Sequence, residues 1–454
     1  HVYPTSGGQY HWAFALSPPR YRNVVAFFTG WIATSGWVAL TATASSLAGQ
    51  LIVGLIAIMH DNYESKPWHI FLVYIAFAIG AWFINAFGAR ILDGLNKVAM
   101  TWSLVGALVI TITCLSRASP NYQSGTYVFG TLVNYTGWPD GIAFILGLLQ
   151  STFALIGVDG ATHLIDEIER PSMTAPRAMI LSVVIGASST FVVLVVFLFV
   201  LTDLETVVSG SNGALLEIIY QATRNRVAAV CLLVFPVVSM AFTATALLTT
   251  SSRMTEAFAR DRGLPFSRIL SKISREVPIA ALTLTTFWVI VFGCIYLGSS
   301  AALNAILGSS IVLLQASYFV PIFLVLLGGR SKLLDLDGLP PRTFSLGRIL
   351  GPLINAFSLV FIIFTNIFFL FPPALPVSGS SMNYTVVVCA VVAILSTIAW
   401  FTQGRKHFKG PLDMDEVLLR TRGLAVLGGR EESLPDHGQG ATTALETEKV
   451  EVTQ

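Results

Sequence analysis

The sequence predicts an all-α, polytopic membrane protein with about ten transmembrane helices. Three observations point there. Of 454 residues, 54% are hydrophobic and only 11% are charged, where a soluble domain carries about 25%; the mean hydropathy is +0.72. Apolar runs of the roughly 20 residues needed to cross a bilayer recur along the chain, separated by polar loops. Finally, Lys and Arg alternate from loop to loop. Nineteen fall on one set of loops, and only Lys66, Arg117, Arg224 and Arg226 on the other. The positive-inside rule places the richer set in the cytoplasm.

In chain order, residues 1–16 are too short and polar to span and form a stub. Residues 24–59 are apolar and rich in Gly, Ala, Ser and Thr; a run this long predicts one tilted span, kinked near Gly49 or Gly54. Spans follow at 68–87 and 98–115, with Asp93, Gly94, Asn96 and Lys97 marking the turn between them. The polar loop 117–140 carries the Asn134 sequon, on the charge-poor side where glycosylation requires it; a second sequon at Asn383 shares that side.

Residues 141–169 read as a broken helix. Gly157-Val158-Asp159-Gly160 sets two glycines and an acid at mid-membrane depth. Each glycine costs a helix about 1 kcal/mol against alanine. A carboxylate at that depth faces a cavity, a partner or freed backbone groups. On the residues alone this is either a substrate-binding break or a kink whose Asp159 caps loose amides.

Pro176 opens the next span, to 201. A polar loop with an amphipathic piece near 215–220 leads to a span at 227–250. That span runs on as a basic amphipathic extension to Gly263 and Pro265. Spans at 278–297 and 302–327, a polar loop at 328–348, and spans at 351–371 and 384–401 complete the membrane part. The division is therefore a stub (1–16), a transmembrane domain (17–403) and a cytoplasmic polar tail (404–454), disordered past Gly429.

Several classes are excluded. There is no glycine-rich phosphate loop with its Lys, no nucleophile elbow and no metal-ligand spacing, so neither an enzyme nor a cofactor or metal is indicated. The net charge of +2 comes without a basic reading face, which argues against nucleic acid. Cys114, Cys231, Cys294 and Cys389 lie in apolar runs and read as small hydrophobes.

Several motifs, in order, carry a resemblance. They are Pro4-Thr5-Ser6-Gly7-Gly8-Gln9-Tyr10-His11-Trp12, Thr29-Gly30-Trp31 with Gly36-Trp37, the Gly157 to Glu167 stretch with Pro171 and Pro176, Ser252-Arg253 through Pro265, and Leu346-Gly347-Arg348. Together they resemble the amino acid–polyamine–organocation superfamily, and within it the fungal amino acid, GABA and choline permeases. The resemblance implies a leucine-transporter-like fold of two inverted five-helix repeats plus two further helices. On that count the spans here are helices three to twelve, the stub ends helix two, and the family's first helix is expected upstream of His1, where the chain starts inside a motif. Asp166 stands where the family has the first Glu of a Glu-Glu pair; Glu167 keeps the second.

The resemblance favours the functional reading of the break. Ile156, Gly157, Val158, Asp159 and Gly160 are the expected substrate contacts, with Asp159 as counter-charge for a cationic headgroup. Phe153, one turn earlier, is a candidate gate or cation–π wall, set against ordinary core packing. Trp31 and Trp37 lie near the start of their span and read as interfacial anchors rather than an aromatic box. Asp166 and Glu167 are expected to form an inner gate with Arg253 and Arg260, set against a solvated helix end. His163 is a candidate proton relay, although a lone histidine is more often simply hydrogen-bonded.

The expected function is a secondary active transporter. It moves an amino acid or related amine (GABA, choline or a polyamine) by alternating access, with a proton as the coupling ion, in the plasma membrane or alternatively the vacuolar membrane. The rivals are a binding-only nutrient sensor on the same fold and a truncated, inactive paralogue.

Overall fold

A computed structural model describes residues 3–412 except 166, 167, 169, 211, 212, 275, 298–301, 330–345, 380 and 381, and without the side chains of 296 and 302–304. The described residues form helices joined by loops, with one isolated β-bridge between Ser274 and Val277. Nine of their helical segments are long and apolar enough to cross a membrane. A tenth, Ile279–Gly293, is shorter and continues as a 3-10 turn through Leu297.

The N-terminal motif folds as a short helix, α1 (Gln9–Leu16), followed by the longest helix, α2 (Arg22–Met59). At 1.5 Å per residue the 38 residues of α2 extend about 57 Å, well beyond a hydrocarbon core of roughly 30 Å. It is assigned as one helix past Gly49 and Gly54. From Gly36 to Ser46 every residue of α2 is buried, so neighbours enclose it on all sides.

Its small residues explain how. A Cβ at Gly49 would lie 2.9 Å from the Ile70 carbonyl oxygen of α3 (Pro67–Phe87). One at Gly30 would strike the Phe258 ring of α11 (Arg226–Arg260), and one at Gly36 would strike Leu314 of α14 (Ala302–Leu324). In lipid, where apolar side chains gain little from meeting one another, such backbone approach drives helix association.

The turn after α3 lies at Gly88, not at Asp93–Lys97. A 3-10 turn leads directly into α4 (Leu92–Ala118). Asp93 lies in the first turn of α4, where a carboxylate suits the helix dipole, and Lys97 pairs with it one turn on at 2.7 Å. Polar residues thus start this helix rather than interrupt it.

After a short helix, α5 (Gly125–Gly130), comes α6 (Asp140–Leu155). It stops at Ile156, and a single turn, α7 (Gly160–His163), follows. Next, α8 (Pro171–Val200) begins at Pro171, with Pro176 inside its first turns. The loop helices α9 (Leu204–Ser209) and α10 (Ala214–Thr223) follow. The latter buries Leu216 and Ile219 against Cys114 and Val200.

The last turns of α11 are largely buried rather than amphipathic, including Met254, Glu256, Phe258 and Ala259. After α12 (Ser267–Leu270) and α13 (Ile279–Gly293) comes α14; the last spans are α15 (Leu350–Phe368) and α16 (Thr385–Ala399). The outer surface is apolar along α4, α8, α15 and α16, through Leu108, Leu181, Phe191, Phe357 and Ile394 among others. The main core gathers Tyr10, Phe27, Trp37, Met254, Phe258 and Phe408 at the end where α1 meets α2 and α11.

Candidate functional site

Between α6 and α7 the backbone leaves the helix. Ile156 is extended (φ −83°, ψ 161°) and Gly157 has φ +81°. Only glycine takes that second conformation without strain, so the chain turns here because of its sequence. Asp159 then starts the single turn, its carbonyl accepting from the Thr162 amide and hydroxyl, both at 2.7 Å.

The Asp159 side chain is 2% exposed, and four side chains from four elements converge on it. Gln9 of α1 donates to Oδ2. The Trp37 indole of α2 donates to the same oxygen at 3.2 Å. The Tyr318 hydroxyl of α14 donates to Oδ1 at 2.5 Å. His163 Nε2 lies 3.2 Å from Oδ2. Three of these contacts fall on Oδ2 and one on Oδ1, so among the carboxylate's roughly four lone-pair sites the Oδ1 side is the less occupied.

The other face of His163 fixes its chemistry. Nδ1 is 2.9 Å from the Ser6 carbonyl, which only accepts, so Nδ1 carries a hydrogen. Nε2 faces a carboxylate. The contact is a hydrogen bond when a second proton sits on the ring or on Asp159.

A cavity of about 790 Å³ adjoins the break. Ile156, Val158 and Asp159 line it, with Trp12, Gln315 and Tyr318 among the other walls. A cavity of this size suits a small organic solute. Its walls come from the centre and the cytoplasmic half of α6, α8, α14 and α15, taking the charge-rich loops as cytoplasmic. Phe153 lies outside these walls and packs against the main core and the Leu307–Phe369 cluster. Gly157 and Gly160 are placed by packing: a Cβ on either would meet Trp37 at 3.6 and 3.4 Å.

Trp37 is a correction. It is 1% exposed and bonded to Asp159, not an interfacial anchor; it lies in the Gly36–Ser46 stretch of α2 that is buried throughout. Trp31 donates to the Gly263 carbonyl at 3.1 Å. Of the expected gate residues, Arg260 donates to the Ser6 hydroxyl at 3.0 Å and Arg253 is half-buried on the same helix. Asp166 and Glu167 lie outside the described residues. Asn134 sits partly exposed in its loop, whereas Asn383 is buried, its amide donating to the carbonyls of Phe369 and Phe371. Among the described residues no cluster of His, Cys, Asp or Glu could hold a metal.

Gln9, Trp37 and Tyr318 were not among the expected site residues. They lie 150, 122 and 159 positions from Asp159. The only sequence sign was that Gln9 and Trp37 belong to the motifs carrying the family resemblance.

An all-α bundle of membrane-spanning helices, with a polar break beside a solute-sized cavity, defines a permease. The chain belongs to the amino acid permease family, whose model matches residues 1–394. It is 32% identical over 414 residues to the choline transporter of Saccharomyces cerevisiae, covering 90% of this chain and 71% of that protein. It is 31% identical over 415 residues to the swainsonine transporter of Arthroderma benhamiae, covering 89% and 79%. To the amino-acid permease BAT1 of Arabidopsis thaliana it is 27% identical over 430 residues, covering 90% and 81%. These relatives bear the names of transporters, not enzymes.

Proposed function

We propose that this permease is a secondary active transporter for a small amine-bearing solute (an amino acid, GABA, choline or a polyamine), and that the solute docks at the break formed by residues 156–160. The observation that carries this is the cavity beside Asp159, a buried carboxylate with aromatic neighbours Trp12 and Tyr318. Because most of the carboxylate's sites already hold protein donors, Asp159 acts on the solute chiefly as a counter-charge. Aromatic faces supply further attraction for a cationic headgroup. The names of the choline transporter and the amino-acid permeases support this substrate class.

Proton coupling is part of the proposal. His163 Nε2 faces Asp159 Oδ2 at 3.2 Å beside the cavity, and this pair is the proposed place of the coupled proton. A cationic solute arriving there changes the field on that proton, which links solute binding to proton release. Alternating access then moves the broken helix and α1 relative to α2 and α11, with Arg253, Arg260, Asp166 and Glu167 as the inner gate. The membrane is the plasma membrane.

Uptake of radiolabelled solute by cells expressing the full chain, competed with amino acids, choline and polyamines, tests this reading. One class of amine should compete, and a protonophore should lower uptake several-fold. Uptake indifferent to every amine contradicts the substrate; uptake that follows the solute gradient alone, at any pH gradient, contradicts the coupling.

A further inference from the structure

The chain just past the last span is built into the cytoplasmic end of the molecule. Phe408 is 2% exposed and packs its ring against Phe27 of α2 and Phe258 of α11. Gly404 approaches Phe27 so closely that a Cβ would clash at 2.6 Å. Gly410 has φ +93°, and a Cβ there would lie 2.0 Å from the Phe14 ring of α1. The Leu412 amide donates to Asp261 Oδ1 at 3.0 Å. Between these anchors Arg405, Lys406, His407 and Lys409 face outward. Alternate burial with two glycines at points of contact describes a docked strap.

Asp261 is where the strap meets the rest. Its side chain is 1% exposed. Oδ2 accepts from the Tyr10 hydroxyl at 2.8 Å and lies 2.8 Å from His11 Nε2, both on α1, while Oδ1 holds the strap. The residue before Tyr10 is Gln9, which donates to Asp159, and the Ser6 carbonyl upstream holds His163. The first turn of α1 is therefore held on one side by the solute site, through Gln9, and on the other by Asp261 and the strap, through Tyr10 and His11.

We propose that Asp261 is a positioning residue for transport: with residues 404–412 docked on it, it fixes α1, and through Gln9 and Ser6 it sets the geometry of the Asp159–His163 pair. The effect on transport rests on the function proposed above; the docking does not. Undocking the strap frees α1, and with it Gln9 and Trp12 at the cavity, so the inner end rearranges without its partner and turnover falls.

Two measurements on the full chain test this separately. Hydrogen exchange on the purified protein reads the Leu412 amide directly. It should be protected in the parent and exchange about tenfold faster in both Asp261→Ala and Phe408→Ala. Equal exchange in parent and variants overturns the strap, whatever the protein transports. In uptake, Phe408→Ala should lower Vmax about fivefold, and Phe408→Leu should restore most of it. Gln9→Leu should also lower Vmax, and the Gln9→Leu, Phe408→Ala double variant should be no worse than the poorer single variant, because both act through α1. Multiplicative losses overturn the coupling, as does a Phe408→Ala loss seen only in KM. If exchange behaves as stated and the parent moves no amine, the strap stands and the substrate proposal falls.

Discussion

At the scale of single residues, the structure turns on how Asp159 is satisfied. A buried carboxylate at this depth is costly unless donors surround it, and here Gln9, Trp37, His163 and Tyr318 do so. Two substitutions separate charge from hydrogen bonding. Asp159→Asn keeps the shape but turns an amide toward donors at one oxygen; uptake of a cationic amine should be abolished while surface expression, read by biotinylation, stays intact. Tyr318→Phe removes the donor on Oδ1. With one protein donor gone from the carboxylate, apparent affinity for a cationic amine should rise several-fold, read as a lower KM. Unchanged kinetics in both variants would remove Asp159 from the site.

At the scale of elements, α2 is held by approach rather than by bulk. Gly49 faces a backbone carbonyl of α3, which cannot move aside as a side chain can. Gly49→Val should therefore destabilise the bundle by about 1–3 kcal/mol, seen as a lower midpoint of thermal aggregation in detergent. Gly80 of α3 has open space around it, and Gly80→Ala should not lower that midpoint. The same scale shows what the sequence makes legible. Length and apolarity mark the spans, and the paired glycines mark the interruption at 156–159, because both signals are local. The convergence of Gln9, Trp37 and Tyr318 is not legible, because residues more than a hundred positions apart meet only through packing. Local signals also mislead where dipole and pairing effects compete. Asp93 and Lys97 look like a turn yet start a helix, and the polar 251–260 segment looks solvated yet is buried by α1, α2 and the strap.

At the scale of the whole molecule, the charge asymmetry sets the orientation, and the two sequons test it. Asn134 lies partly exposed in the loop between α5 and α6, whereas Asn383 is spent on carbonyls at the end of α15. In a glycosylating host, Asn134→Gln should remove the endoglycosidase-sensitive mobility shift, and Asn383→Gln should leave it in place while lowering the yield of folded protein. A glycan lost only with Asn383→Gln would reverse that assignment.

The proposal that a solute is held at the helix interruption is tested most directly by protection. Val158 lines the cavity at the break. With Cys114, Cys231, Cys294 and Cys389 replaced, the modification rate of Val158→Cys by a small thiol reagent should fall at least several-fold when the transported amine is saturating, with half-protection near its KM. A rate that stays the same at saturating solute would place the binding site elsewhere in the molecule.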